Sequence, residues 1–125
     1  MKYNESVEMY LETIYILDKE HGHAHVVDIA EALGVSKASV SKAMKQLKDQ
    51  ELIYKETYGS ITLTQKGREI SEQVYYNHKL IADFLEHSLG LVPAEASENA
   101  CKMEHIVSDS LLRAIEAYFK KCDKD

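Results

Sequence analysis

Apolar side chains recur along this chain at the spacing of helix faces, interrupted by one short stretch that alternates. Val7, Tyr10, Leu11, Ile14 and Tyr15 share a stripe and predict an amphipathic helix from about Glu5 to Lys19. Met9, Glu12 and Ile16 gather on a second face roughly opposite, so this helix is expected to be contacted from two directions. The next stretch, His21-Gly22-His23-Ala24-His25, reads as a solvated polar loop whose histidines bind metal weakly and adventitiously. A second helix is predicted from near Asp28 to Gly34, glycine being the residue that most readily takes the left-handed conformation at a helix stop. Ser36 offers an N-cap to a third helix with Val40, Met44 and Leu47 turned inward. The pair reads as helix-turn-helix. Ala30 is small where the helices cross, Gly34 makes the turn, and Val35, Val40 and Leu47 hold the second helix on the first.

The period then changes to two. Leu52-Ile53-Tyr54-Lys55-Glu56 and Ile61-Thr62-Leu63-Thr64 alternate on either side of a turn at Tyr58-Gly59-Ser60 and predict a hairpin, which directly after a recognition helix is a wing. Thr64 caps a long helix carrying Ile70, Val74, Ile81 and Leu85 and running to about Ser88. Gly90 and the only proline, Pro93, mark the break before a last helix, whose stripe is Met103, Val107, Ala114 and Tyr118.

Composition sharpens this picture in three ways. With 125 residues and 45% hydrophobic content, the chain can build one ordinary core and a small second module. Its net charge of −6 argues against a protein that coats nucleic acid indiscriminately, yet Ser36 to Lys48 holds four lysines and no acid. The hydroxyls of Ser36, Ser39 and Ser41 interleave with Lys37, Lys42 and Lys45 as phosphate and base contacts require, which favours DNA contact over a merely solvated face. Ala38 lies on the same segment and is counted with them. The two cysteines, Cys101 and Cys122, are placed on or just beyond the last helix, too far apart to pair, and read as reduced thiols. No apolar run approaches bilayer length, and Glu5, Glu8 and Glu12 interrupt the N-terminus, so a soluble, cytoplasmic protein without membrane association is expected.

Candidate chemistry concentrates in the last helix. Cys101, Glu104 and His105 fall at i, i+3 and i+4, so a thiolate, a carboxylate and an imidazole can address one cation, with further donors supplied by a facing helix. By itself the same trio also describes a buried cysteine beside a surface Glu-His pair. The second face of the first helix tips the balance by presenting a thioether, Met9, and a carboxylate, Glu12. His78 lies on the apolar stripe of its own helix and stands between two readings, a core histidine with a hydrogen-bond partner and a metal ligand. Three rival functions compete. The nearest is a winged-helix regulator sensing an oxidant or small molecule through Cys101. An enzyme with Cys101 as nucleophile and His105 as base lacks a glycine-rich oxyanion loop, and a helical metal-storage protein leaves the wing unexplained.

These residues resemble the diphtheria toxin repressor and manganese transport regulator family of metal-dependent transcriptional repressors over nearly the whole chain. Four segments carry the likeness: Glu8-Met9-Tyr10-Leu11-Glu12-Thr13-Ile14-Tyr15; Asp28-Ile29-Ala30-Glu31-Ala32-Leu33 with Val40-Ser41-Lys42; Leu63-Thr64-Gln65-Lys66-Gly67; and Cys101-Lys102-Met103-Glu104-His105. The resemblance implies a winged helix-turn-helix DNA-binding domain over residues 1–73 and a helical metal-binding and dimerisation domain over residues 74–125. The fold class is thus mainly α with a small β-hairpin wing. It further implies a homodimer on a palindromic operator in double-stranded DNA, no enzymatic activity, and repression of metal-uptake genes.

In iron-type members the activating ligands match Met9, Cys101, Glu104 and His105; manganese-type members have Asp at the position of Met9, Glu at that of Cys101, and a Glu matching Glu12. The set here is mixed. Its soft sulfur donors favour Fe(II), with Mn(II) the second candidate. His78 matches a second-site histidine, while the carboxylate and histidine expected beside it fall on Ala82 and Ser97. His78 with Glu12 and Glu104 is the manganese-like alternative. The family's base-contacting Pro and Gln fall on Ala38 and Lys42, so the operator sequence does not carry over. The chain resembles the short type, without the C-terminal SH3-like barrel.

Overall fold

A computed structural model describes residues 4–55 and 60–123; the turn expected at Tyr58-Gly59 lies outside them. The chain forms two compact units, Met1–Gln73 and Val74–Asp125.

In the first unit, α1 spans Glu5–His21, opened by Asn4, whose Oδ1 accepts the Val7 N–H at 2.9 Å. Its apolar stripe is buried, with Leu11 and Ile14 fully enclosed. The loop expected after it contains a short strand, β1 (Ala24–His25), which pairs antiparallel with a strand of the wing. With His25 held extended in that pairing, α2 (Val26–Leu33) starts immediately afterwards, two residues earlier than the apolar period suggested. It ends at Gly34 in the left-handed region (φ 67°), where the tight turn requires a positive φ. Val35 is 40% exposed in this turn and does not clamp the helices; Ile29 and Ala30 are the buried positions of α2.

α3 (Lys37–Asp49) is capped by Ser36, whose Oγ accepts the Ser39 N–H at 3.1 Å, and it buries Val40, Met44 and Leu47. It closes in a Schellman arrangement: the Leu52 N–H reaches the Leu47 carbonyl (3.0 Å) and the Glu51 N–H reaches that of Lys48 (3.0 Å). Glu51 thereby takes φ 62°, a conformation that L side chains resist.

The wing is β2 (Ile53–Lys55) and β3 (Ser60–Leu63), in register Ile53↔Leu63 and Tyr54↔Thr62, and the sheet order is β1-β3-β2. α4 (Gln65–Leu89) follows, and the division between the units falls within it. The Thr64 hydroxyl donates to the Glu51 carbonyl (2.7 Å) and accepts the Gly67 N–H (3.0 Å), so one side chain joins the end of α3 to the start of α4. Gly67 is there because nothing larger fits: a Cβ would lie 2.0 Å from the Leu52 carbonyl oxygen. The fully buried Ser71 hydroxyl sits between the carbonyls of Gly67 (2.7 Å) and Leu11 (3.1 Å), fixing α4 to α1.

In the second unit the expected single last helix is two. α5 (Pro93–Met103) ends at Glu104, and α6 (Asp109–Asp123) begins after Ser108, whose Oγ accepts the Leu111 N–H at 3.1 Å. Cys101 and Cys122 therefore lie on different helices, and Met103 and Val107 do not continue one stripe. Val107 is buried in the intervening turn, while α6 packs through Leu112 and Ile115 and leaves Ala114 exposed. The core joins these residues to Ile81, Leu85 and the fully buried Ala96 and Ala100. At its edge the Tyr76 hydroxyl donates to Glu116. That carboxylate, together with burial, holds the tyrosine pKa above its ordinary value. Among the described residues no helix is long and apolar enough to cross a membrane.

Candidate metal centre and DNA interface

Glu104 occupies the C-cap of α5 with its N–H on the Ala100 carbonyl (2.9 Å), and this turn directs its side chain fully out of solvent. A carboxylate stripped of water is costly unless opposite charge or hydrogen bonds compensate. Two imidazoles approach it. His78 Nδ1, from α4, lies 3.0 Å from Oε2, and His105 Nε2, from the turn after α5, lies 3.2 Å from Oε1. The His105 side chain is 2% exposed. The other ring nitrogen of His78 is 3.3 Å from Ser97 Oγ.

A carboxylate flanked by two ring nitrogens fits a divalent transition ion. The carboxylate supplies charge, neutral imidazole suits iron, zinc, copper and nickel, and oxygen donors suit manganese. Ligating histidines commonly turn their second nitrogen toward a hydrogen-bonding partner, and the Ser97 hydroxyl would fill that place for His78.

Cys101 is exposed on α5, and among the described residues it joins no three-member ligand cluster. Cys101 lies in the last turn of α5, Glu104 at its C-cap and His105 in the turn that follows. Met9 is half-buried and Glu12 buried on α1, in the first unit. Ala82, where a second-site carboxylate was sought, is buried in the apolar core of its unit. Ser97, beside His78, was legible only as a departure from the family pattern. Its neighbour 19 residues earlier on another helix gives no local signal.

The outer face of α3 carries Lys37, Ala38, Ser39, Ser41, Lys42 and Lys45, all exposed, with Ser36 at its head. No acid occupies the first turn, so its unpaired N–H groups and dipole favour an anion such as phosphate there. Ser36 is partly committed, since its hydroxyl caps the helix and meets the Ser39 hydroxyl at 2.9 Å. A capped helix lying across a second helix and followed by a wing defines a winged helix-turn-helix protein, here joined to a helical unit with a buried carboxylate between two imidazoles.

Residues 2–61 match the domain described as "Iron dependent repressor, N-terminal DNA binding domain", and residues 64–125 match "Iron dependent repressor, metal binding and dimerisation domain". The chain belongs to the iron-dependent repressor family. An uncharacterised HTH-type transcriptional regulator of Methanocaldococcus jannaschii is 36% identical over 119 residues, covering 94% of this chain and 95% of its own length. The HTH-type transcriptional regulator MntR of Geobacillus kaustophilus is 49% identical over 81 residues, 64% of this chain and 57% of that protein. Among solved structures, the manganese regulator SloR is similar at 32% identity and a TM-score of 0.79, over 96% of this chain and 55% of that one. A manganese-dependent transcriptional repressor in complex with manganese gives 30% identity and a TM-score of 0.84, over 90% of this chain and 51% of that one. The chain thus spans about half the length of these structures.

Proposed function

We propose that this protein is a metal-dependent transcriptional repressor that binds a palindromic operator as a homodimer and controls metal-uptake genes. The observation that carries the reading is the buried Glu104 carboxylate between His78 and His105, in a chain whose other unit presents the lysine-serine face of α3. A divalent cation would supply the positive charge that lets several buried donors converge. His78, Glu104 and His105 would hold it, with Met9, Glu12 and Cys101 assigned as further donors on the family resemblance. Met9 and Glu12 belong to the unit that carries α3, so donor occupancy and DNA affinity are expected to rise together and reciprocally.

For the cation, Fe(II) is the first reading, supported by the thioether of Met9 and the thiol of Cys101. Mn(II) is the second. It is favoured by the burial of the oxygen and nitrogen donors against the exposure of Cys101, and by the manganese regulators among the relatives. The test retains fragments of the source genome on anaerobically purified protein under chelator, Fe(II) or Mn(II) at one salt concentration. Palindromic enrichment only with metal is expected, and equal enrichment under chelator would sink the reading. Cys101→Ser separates the two cations, since it should raise the Fe(II) concentration needed for retention about tenfold or more while leaving the Mn(II) requirement within about threefold.

A further inference from the structure

The stretch read from sequence as a solvated histidine loop has a definite construction. His23 and His25 are two residues apart, and β1 holds the second of them extended, so both side chains leave the same face of the backbone. Their rings lie with centroids 4.9 Å apart and tilted by 55°, an arrangement in which ring nitrogens converge without stacking. His25 is also the N-cap of α2, and its side chain makes no capping hydrogen bond. Asp28 is the third residue of that helix, the position whose side chain reaches back toward the cap. The result is that ligand atoms of His23, His25 and Asp28 all lie within 4.8 Å of one another.

We propose that His23, His25 and Asp28 form a second metal site, confined to the DNA-binding unit and separate from the cluster around Glu104. Two imidazoles and one carboxylate are a donor set for Zn(II) and its neighbours late in the first transition row. A set of this kind binds those ions more tightly than it binds Mn(II). Three protein ligands leave coordination positions for water, so the site would be an open one. Because β1 pairs with β3 of the wing and Asp28 belongs to the first helix of the helix-turn-helix, a bound ion fastens the sheet to α2. Zinc occupancy would therefore stabilise the DNA-reading unit without touching the exposed face of α3. His21 lies outside the group, next to Glu20 at 3.8 Å.

The test is calorimetric titration of the full chain with Zn(II) near neutral pH, comparing the unaltered protein with His23→Gln, an exposed position whose change leaves the core intact. One zinc equivalent per chain should disappear in His23→Gln, and the same loss should recur in a Glu104→Gln background. His21→Gln should retain the full stoichiometry. Zinc should also raise the thermal midpoint of the unaltered chain more than that of His23→Gln. Equal stoichiometry in the two chains would overturn the site, as would a loss that vanishes in the Glu104→Gln background. An equal loss in His21→Gln would show only a histidine-rich surface that collects ions, and would overturn it too.

Discussion

The outer face of α3 and the turn at Glu104 are both polar, and they work by opposite physics. On α3 the lysines are exposed, long and replaceable one at a time, so each would contribute a modest, salt-screened increment to binding a polyanion. At Glu104 the carboxylate has no exposed surface, and its neighbours are imidazoles at 3.0 and 3.2 Å, so a single change removes the arrangement. One region is graded and the other is all-or-none. That is the division expected between a surface that reads a backbone and a site that senses an ion.

The comparison breaks most severely where the seat of α3 is removed. Gly67→Ala puts a methyl group into the Leu52 carbonyl just beyond the end of α3. It should cost about 3 kcal/mol, read from denaturant unfolding, and an unchanged midpoint would contradict the close approach. Next in size is Glu104→Gln. It keeps the shape and removes the charge, and should raise the metal concentration needed for DNA binding by at least about 100-fold, with the salt dependence of DNA binding unchanged. Lys45→Ala is the counterpart on α3. DNA affinity should fall several-fold across all sequences and the salt slope by about one, while the metal requirement stays where it was. The smallest effect is expected at Glu51→Gly, which relieves the left-handed strain at the end of α3. A net gain of about 0.5 kcal/mol is expected, with no change in DNA affinity if this end of the helix is scaffold alone.

Legibility in the sequence followed the range of the interactions. Ser36, Thr64, Gly34 and Pro93 act within a turn or so of themselves, and each stands where its local chemistry predicted. The two-residue β1 depends on β3, some 36 residues later, and in isolation His-Ala-His reads as loop. The break between α5 and α6 had a local sign that the apolar stripe overrode. Ser108-Asp109 is a helix start, while the absence of glycine or proline between 103 and 109 let Met103 and Val107 pass for one face. In the candidate metal centre the residue types were readable, but the pairing of His78 with Glu104 spans 26 positions and two helices. Gly67 was visible as part of a motif. Its reason, a carbonyl 15 residues earlier, was not.

The central claim is that the ion held at Glu104 and the DNA read by α3 are linked, and linkage is reciprocal. The most direct measurement is therefore the affinity of the full chain for Mn(II) or Fe(II), with and without a saturating amount of the duplex that metal-loaded protein selects. The account predicts that the duplex tightens metal binding by the same factor by which the metal tightens DNA binding, about 5- to 150-fold for couplings of ordinary size. Metal affinity that is indifferent to the duplex would contradict it.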